Sequence, residues 1–131
     1  MVTLKQPLAS YDNLRSTTNI TAPVNAMNDH QEIKQDILAE CSEDYVGLWS
    51  IIKRFQRAGI TIEPILMETT LGLLHELLSQ EHIVAGQFSE NEFHIWKRNP
   101  TEIVVRIRDE WTALGRTPNI SEIAWFTCDT H

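Results

Sequence analysis

The sequence predicts an α+β domain that is mainly helical, with one β-hairpin and an added C-terminal helix. Three observations predict it. Four segments repeat apolar residues at steps of three and four, the spacing of one helix face. Residues that favour helix starts and stops bracket those segments. Between the third and fourth segments, His82–Gly86 and Glu92–Trp96 flank a polar turn and read as a hairpin.

Residues 1–28 are rich in Ser, Thr, Asn and Pro and have no apolar period, so they read as a tail or loosely docked arm. A single domain is expected over 29–131. Its first helix starts near Asp29 and ends about Cys41, with Ile33, Ile37 and Leu38 on one stripe. Ser42 then reads as the N-cap of a second helix, with Glu43 and Asp44 where the helix dipole favours acids. Tyr45, Leu48, Trp49, Ile52 and Phe55 follow at helical spacing, and Gly59 fits the left-handed position that ends a helix. Ile60-Thr61-Ile62 is β-branched and predicts a brief strand. Pro64 opens the third helix, Leu-rich to about Gln80; its interior Gly72 predicts close packing against another helix.

In the hairpin, Val84 opposite His94 places Ile83, Ala85, Phe93 and Ile95 on one apolar face. The turn is Gln87–Asn91. Asn99, Pro100 and Glu102 form a capping box for the fourth helix, whose stripe is Ile103, Ile107, Trp111 and Leu114 and whose stop is Gly115. After it, Ile120, Ile123, Trp125 and Phe126 are expected to dock on the core as a short helix or strand, because each would be costly in water.

Of 131 residues, 18 are acidic and 11 are Lys or Arg, for a net charge of −7. That balance repels DNA, RNA and anionic lipid. Ala58–Trp96 contains no Lys or Arg but holds Glu63, Glu68, Glu76, Glu81, Glu90 and Glu92. Positive charge gathers at Lys53, Arg54 and Arg57, and at Lys97, Arg98, Arg106 and Arg108. No apolar run nears the ~18 residues of a membrane span, and Met1–Pro7 lacks the apolar core of a secretory signal. A cytoplasmic chain is expected. Cys41 and Cys128 share no CxxC spacing. A buried thiol is expected at Cys41, with a disulfide to Cys128 or a reactive thiol as alternatives.

No motif predicts catalysis. His75-Glu76 opens like HExxH, but Ser79 stands where the second His belongs. His82 and His94 lack a compact set of partner ligands, and Cys128 with His131 is weak metal spacing. No cofactor, metal or enzymatic activity is expected.

The order helix, helix, short strand, helix, hairpin resembles a winged-helix domain over roughly residues 30–97. The segments Trp111–Arg116, Pro118–Ile120 and Glu122–Phe126 resemble the tail of a group of small uncharacterised bacterial proteins. Those also carry a step like Gly47-Leu48-Trp49 and a glycine near Gly86, and some resemble immunity proteins that neutralise toxins. DNA-binding winged helices present a basic recognition helix and wing. Here the equivalent helix offers Glu63, Glu68 and Glu76, and the wing Glu90 and Glu92. The function expected is therefore a non-enzymatic protein–protein interaction module, immunity-like or regulatory. It would meet a basic protein partner through Phe88, Glu90, Glu92, Trp96, Glu68 and Glu76. The alternative is a DNA-binding winged-helix transcriptional regulator.

Overall fold

The computed structural model describes residues 23–128, with side chains from residue 29 onward. The chain divides into two units, Met1–Glu32 and Ile33–His131. Residues 23–32 of the first are helical. In chain order the elements are α1 (Pro23–Cys41), β1 (Val46–Gly47), α2 (Leu48–Arg57), α3 (Glu63–Ser79), β2 (Val84–Ser89), β3 (Glu92–Ile95), α4 (Pro100–Leu114) and β4 (Trp125–Thr127). The fold is α+β and mainly helical. Its antiparallel sheet has the order β1-β4-β2-β3. Helix α1 thus begins at Pro23 rather than Asp29, and the remaining tail residues expected before it lie outside the described residues.

Ser42 does not cap α2. Its hydroxyl donates to the Ala39 carbonyl at 2.7 Å, and the Asp44 carboxylate accepts the Tyr45 N–H at 2.7 Å in the turn that follows. The chain then extends through Val46, which is buried beside its partner Phe126. Helix α2 starts only at Leu48, whose N–H donates to Ala124 at 3.0 Å. A long-range strand pairing displaces the cap that local sequence offers.

Gly59 ends α2 as expected, at φ 101°. The N–H of Ile60 reaches the Phe55 carbonyl and that of Gly59 reaches Gln56, the paired bonds of a Schellman ending. Helix α3 ends the same way without a glycine: His82 N–H to Leu77, Glu81 N–H to Leu78, and Glu81 at φ 61°. Ile60–Ile62 is not a strand. Ile62 is the extended N-cap of α3 and is 62% exposed.

Gly72 is exposed, and a Cβ built there would meet nothing within 4 Å. The close packing expected of it is absent. Helix propensity is then uncompensated at Gly72, and left-handed strain is uncompensated at Glu81. Gly72→Ala and Glu81→Gly are each expected to raise unfolding free energy by about 1 kcal/mol in urea titrations. A loss of stability in Gly72→Ala would mean that this helix face is covered.

The hairpin pairs Gly86 with Ile95, Gln87 with His94, Phe88 with Phe93 and Ser89 with Glu92. Its turn is only Glu90-Asn91, at φ 53° and 68°, the two left-handed residues that a type I′ turn demands. The expected register was three residues out. An odd slip exchanges the faces of the strands, so Phe93 and Ile95 point away from Ala85. Ala85 and Phe126, which are directly paired, join Val46 in the core with the apolar stripes of the four helices.

Helix α4 has the expected capping box, with Glu102 N–H to Asn99 Oδ1 at 2.8 Å and Asn99 N–H to Glu102 Oε1 at 3.3 Å, and it ends at Gly115, φ 70°. Phe126 docks fully as the centre of β4, but Ile120 is 66% exposed and does not dock. The connecting loop is held by Glu122 instead. Its carboxylate accepts hydrogen bonds from Arg116 Nη1 and Nη2, each at 2.8 Å, and from the Asn119 N–H at 2.6 Å. The Arg116 hydrogen bonds, then the Asn119 amide, lower its pKa from 4.5 to about 2. A depressed carboxylate pKa adds stability above the unfolded value, which is lost as pH falls through the folded one. Glu122→Gln is expected to flatten the acid limb of stability between pH 4.5 and about 2. An unchanged limb would show that the pair does not hold in solution.

Candidate interaction face

Strand alternation sorts the site residues. Val84, Gly86 and Phe88 share the face turned away from the core with Phe93 and Ile95. Trp125 lies on that face too, directly opposite Gly47 on one neighbour and Gly86 on the other. The glycines leave room for rings. A Cβ at Gly47 would stand 2.6 Å from Trp49 Nε1, and one at Gly86 would stand 2.8 Å from Phe93 Cζ. Around them four aromatic rings meet. Tyr45 lies 4.9 Å from both Phe88 and Phe93, Phe88 lies 5.4 Å from Phe93, and Phe88 meets Trp125 edge-on at 5.5 Å. Such edge and tilted geometries are favourable beyond area burial. The cluster remains partly open, with Phe88 42% exposed and the neighbouring Ile95 48% exposed.

A cleft of about 440 Å³ opens beside it, lined by Gln87, Phe88, Ser121, Ile123 and Trp125. Its wall is strained. Ile123 sits at φ 71°, and Ala124 N–H closes back on the Glu122 carbonyl at 2.9 Å, a tight positive-φ turn that a β-branched side chain resists. The Gln87 amide donates to the Ile123 carbonyl at 3.0 Å and fixes the turn against β2. Strain of this kind concentrates at ligand clamps and functional sites.

The six residues expected to bind a partner do not form one surface. Phe88 is in the aromatic cluster. Glu90 occupies the hairpin turn, and Glu92 opens β3 opposite Ser89. Trp96 falls on the opposite face, packed against the core with the Arg106 guanidinium 3.9 Å from its ring centre. It is not an exposed edge aromatic, because the register shift turned it inward. Glu68 binds Arg108, with Arg108 Nη2 donating to its Oε1 at 2.7 Å, and Glu76 binds Lys34 at 2.5 Å. The acidity of α3 is thus partly answered within the molecule. Sequence reading missed Tyr45, Phe93 and Trp125. The signal available was Glu90-Asn91: centring a two-residue turn there sets Phe88 opposite Phe93.

His75 is exposed and shares weak contacts with Thr101 at 3.3 Å and Ser79 at 3.4 Å. Among the described residues no three His, Cys, Asp or Glu side chains are grouped to hold a metal ion, and no helix is long and apolar enough to cross a membrane. Comparison with protein-family models, with curated proteins and with solved structures found no match.

Proposed function

We propose that the chain is a non-enzymatic protein–protein interaction module, immunity-like or regulatory, that binds a basic protein through the aromatic sheet face and the hairpin tip. One observation carries the reading: a partly exposed cluster of four rings on the sheet face turned from the core, at the end of the hairpin whose turn and following residue supply Glu90 and Glu92. Exposed aromatics are enriched in the centres of interfaces, and surrounding charges govern encounter and partner choice. The order of helices and hairpin supports a winged-helix-like reading, while strand β4 lies between β1 and the hairpin and supplies Trp125 to this face.

The test compares wild type, Phe88→Ala and Glu90→Lys/Glu92→Lys as tagged baits in native extract, with captured proteins then purified and titrated. A basic protein is expected to bind wild type. Phe88→Ala is expected to weaken it about tenfold or more, as loss of a buried anchor does. The charge reversal is expected to weaken binding and flatten its salt dependence. Capture of the same proteins with unchanged affinity by both variants sinks the reading. Sequence-specific retention of duplex DNA at low salt would favour a winged-helix regulator instead.

A further inference from the structure

The two cysteines, distant in sequence, meet in space. Cys41 ends α1 and is fully buried, while Cys128 follows β4 and is partly exposed. The Cys128 N–H donates to the Cys41 carbonyl at 3.3 Å. Both sulfurs lie against one acceptor, the Leu38 carbonyl, at 3.5 Å for Cys41 Sγ and 4.0 Å for Cys128 Sγ. One backbone hydrogen bond and one shared acceptor thus hold the two thiols side by side, the proximity that disulfide formation requires. No disulfide joins them.

We infer that Cys41 and Cys128 form a thiol pair that low-molecular-weight disulfides convert to an intramolecular disulfide, with Cys128 attacking first and Cys41 resolving. Burial, and then the hydrogen bond in which the Cys41 thiol donates to Cys128, push the Cys41 thiol up to about 12, so Cys41 stays protonated and the more exposed sulfur initiates. The Cys128 thiolate attacks one sulfur of R–S–S–R. A Cys128–S–S–R bond forms, the R–S–S–R bond breaks, and RS⁻ leaves and takes up a proton. Cys41 then loses its proton to solvent as its sulfur attacks Cys128 Sγ, expelling the second RS⁻. The protein dithiol is oxidised, and R–S–S–R is reduced to two RSH. The bond would close a ring from the end of α1 to the end of β4, containing α2, α3, the hairpin and α4. A ring that long restrains the unfolded chain strongly.

The probe is oxidised glutathione, added to dilute full-length protein, with intact mass and thermal unfolding as readouts. Wild type is expected to lose two hydrogen atoms in mass without retaining glutathione, and its Tm is expected to rise by about 10 °C or more, reversibly with dithiothreitol. Cys41→Ala is expected to stop at a stable glutathione adduct on Cys128, and Cys128→Ala to stay unmodified. Wild type that keeps glutathione, dimerises through an intermolecular disulfide or remains reduced overturns the pair. Because the wild-type mass alone decides this, a variant that fails to fold leaves the test intact. The result is independent of partner binding at the aromatic face.

Discussion

Replacing Trp111 with Ala is expected to lower unfolding free energy by about 3–5 kcal/mol, the range for emptying a buried aromatic site. Trp111 is 1% exposed and is the last buried residue of α4, one turn after Ile107. The cavity is not its only cost. The indole N–H donates to Glu63 Oε2 at 2.5 Å, while the Thr117 hydroxyl donates to Glu63 Oε1 at 2.6 Å. One carboxylate in the first turn of α3 therefore ties α4 and the loop beyond it to α3. Trp111→Phe keeps most of the ring volume and removes the N–H. Its expected cost is about 1.5–3 kcal/mol, that of a lost hydrogen bond to a charged group. Chemical denaturation of both variants separates the contributions. If Trp111→Phe proves neutral, Glu63 finds water in place of the indole, and packing alone explains the tryptophan.

That tryptophan was legible in the sequence, and so was most of what local chemistry decides. The capping box at Asn99, the stop at Gly59 and the stripe of α4 each depend on residues within a few positions of one another. What was not legible was long-range. Ser42, Glu43 and Asp44 look like a helix start, but the pairing of Val46 with Phe126 stretches the chain there. Glu81 carries no stop signal, yet it adopts a left-handed conformation because α3 must end where β2 begins. The hairpin misled for a different reason. Phe88, Phe93 and Ile95 gather on one face, and alternation assigns such a face to the core, whereas here it turns away from the core and carries the aromatic cluster. Glu90-Asn91 could have set the register, but neither residue is the glycine that usually marks such a turn. The candidate site shared that fate, since Trp125 and Phe93 join Phe88 only once the register and the strand order are known.

The same register makes Gly86 the position least tolerant of a side chain. Gly86→Ala is expected to destabilise the fold at or beyond the top of the roughly 1–3 kcal/mol usual for overpacking. The added Cβ would stand 2.3 Å from the His94 carbonyl oxygen and 2.8 Å from Phe93 Cζ. The obstacles differ in kind. A phenylalanine ring turns aside at modest cost. The His94 carbonyl belongs to the backbone of β3, which is paired to β2 from Ser89 to Gly86. Moving it pulls the hairpin apart beside Trp125, whose other neighbour on that face is Gly47. A double-mutant cycle with Phe93→Ala decides which obstacle matters. If the backbone is the obstacle, Gly86→Ala costs the same in both backgrounds. A cost that shrinks by most of its value without the ring would place the clash in the side chain, and the glycine would then serve the aromatic cluster rather than the strand pairing.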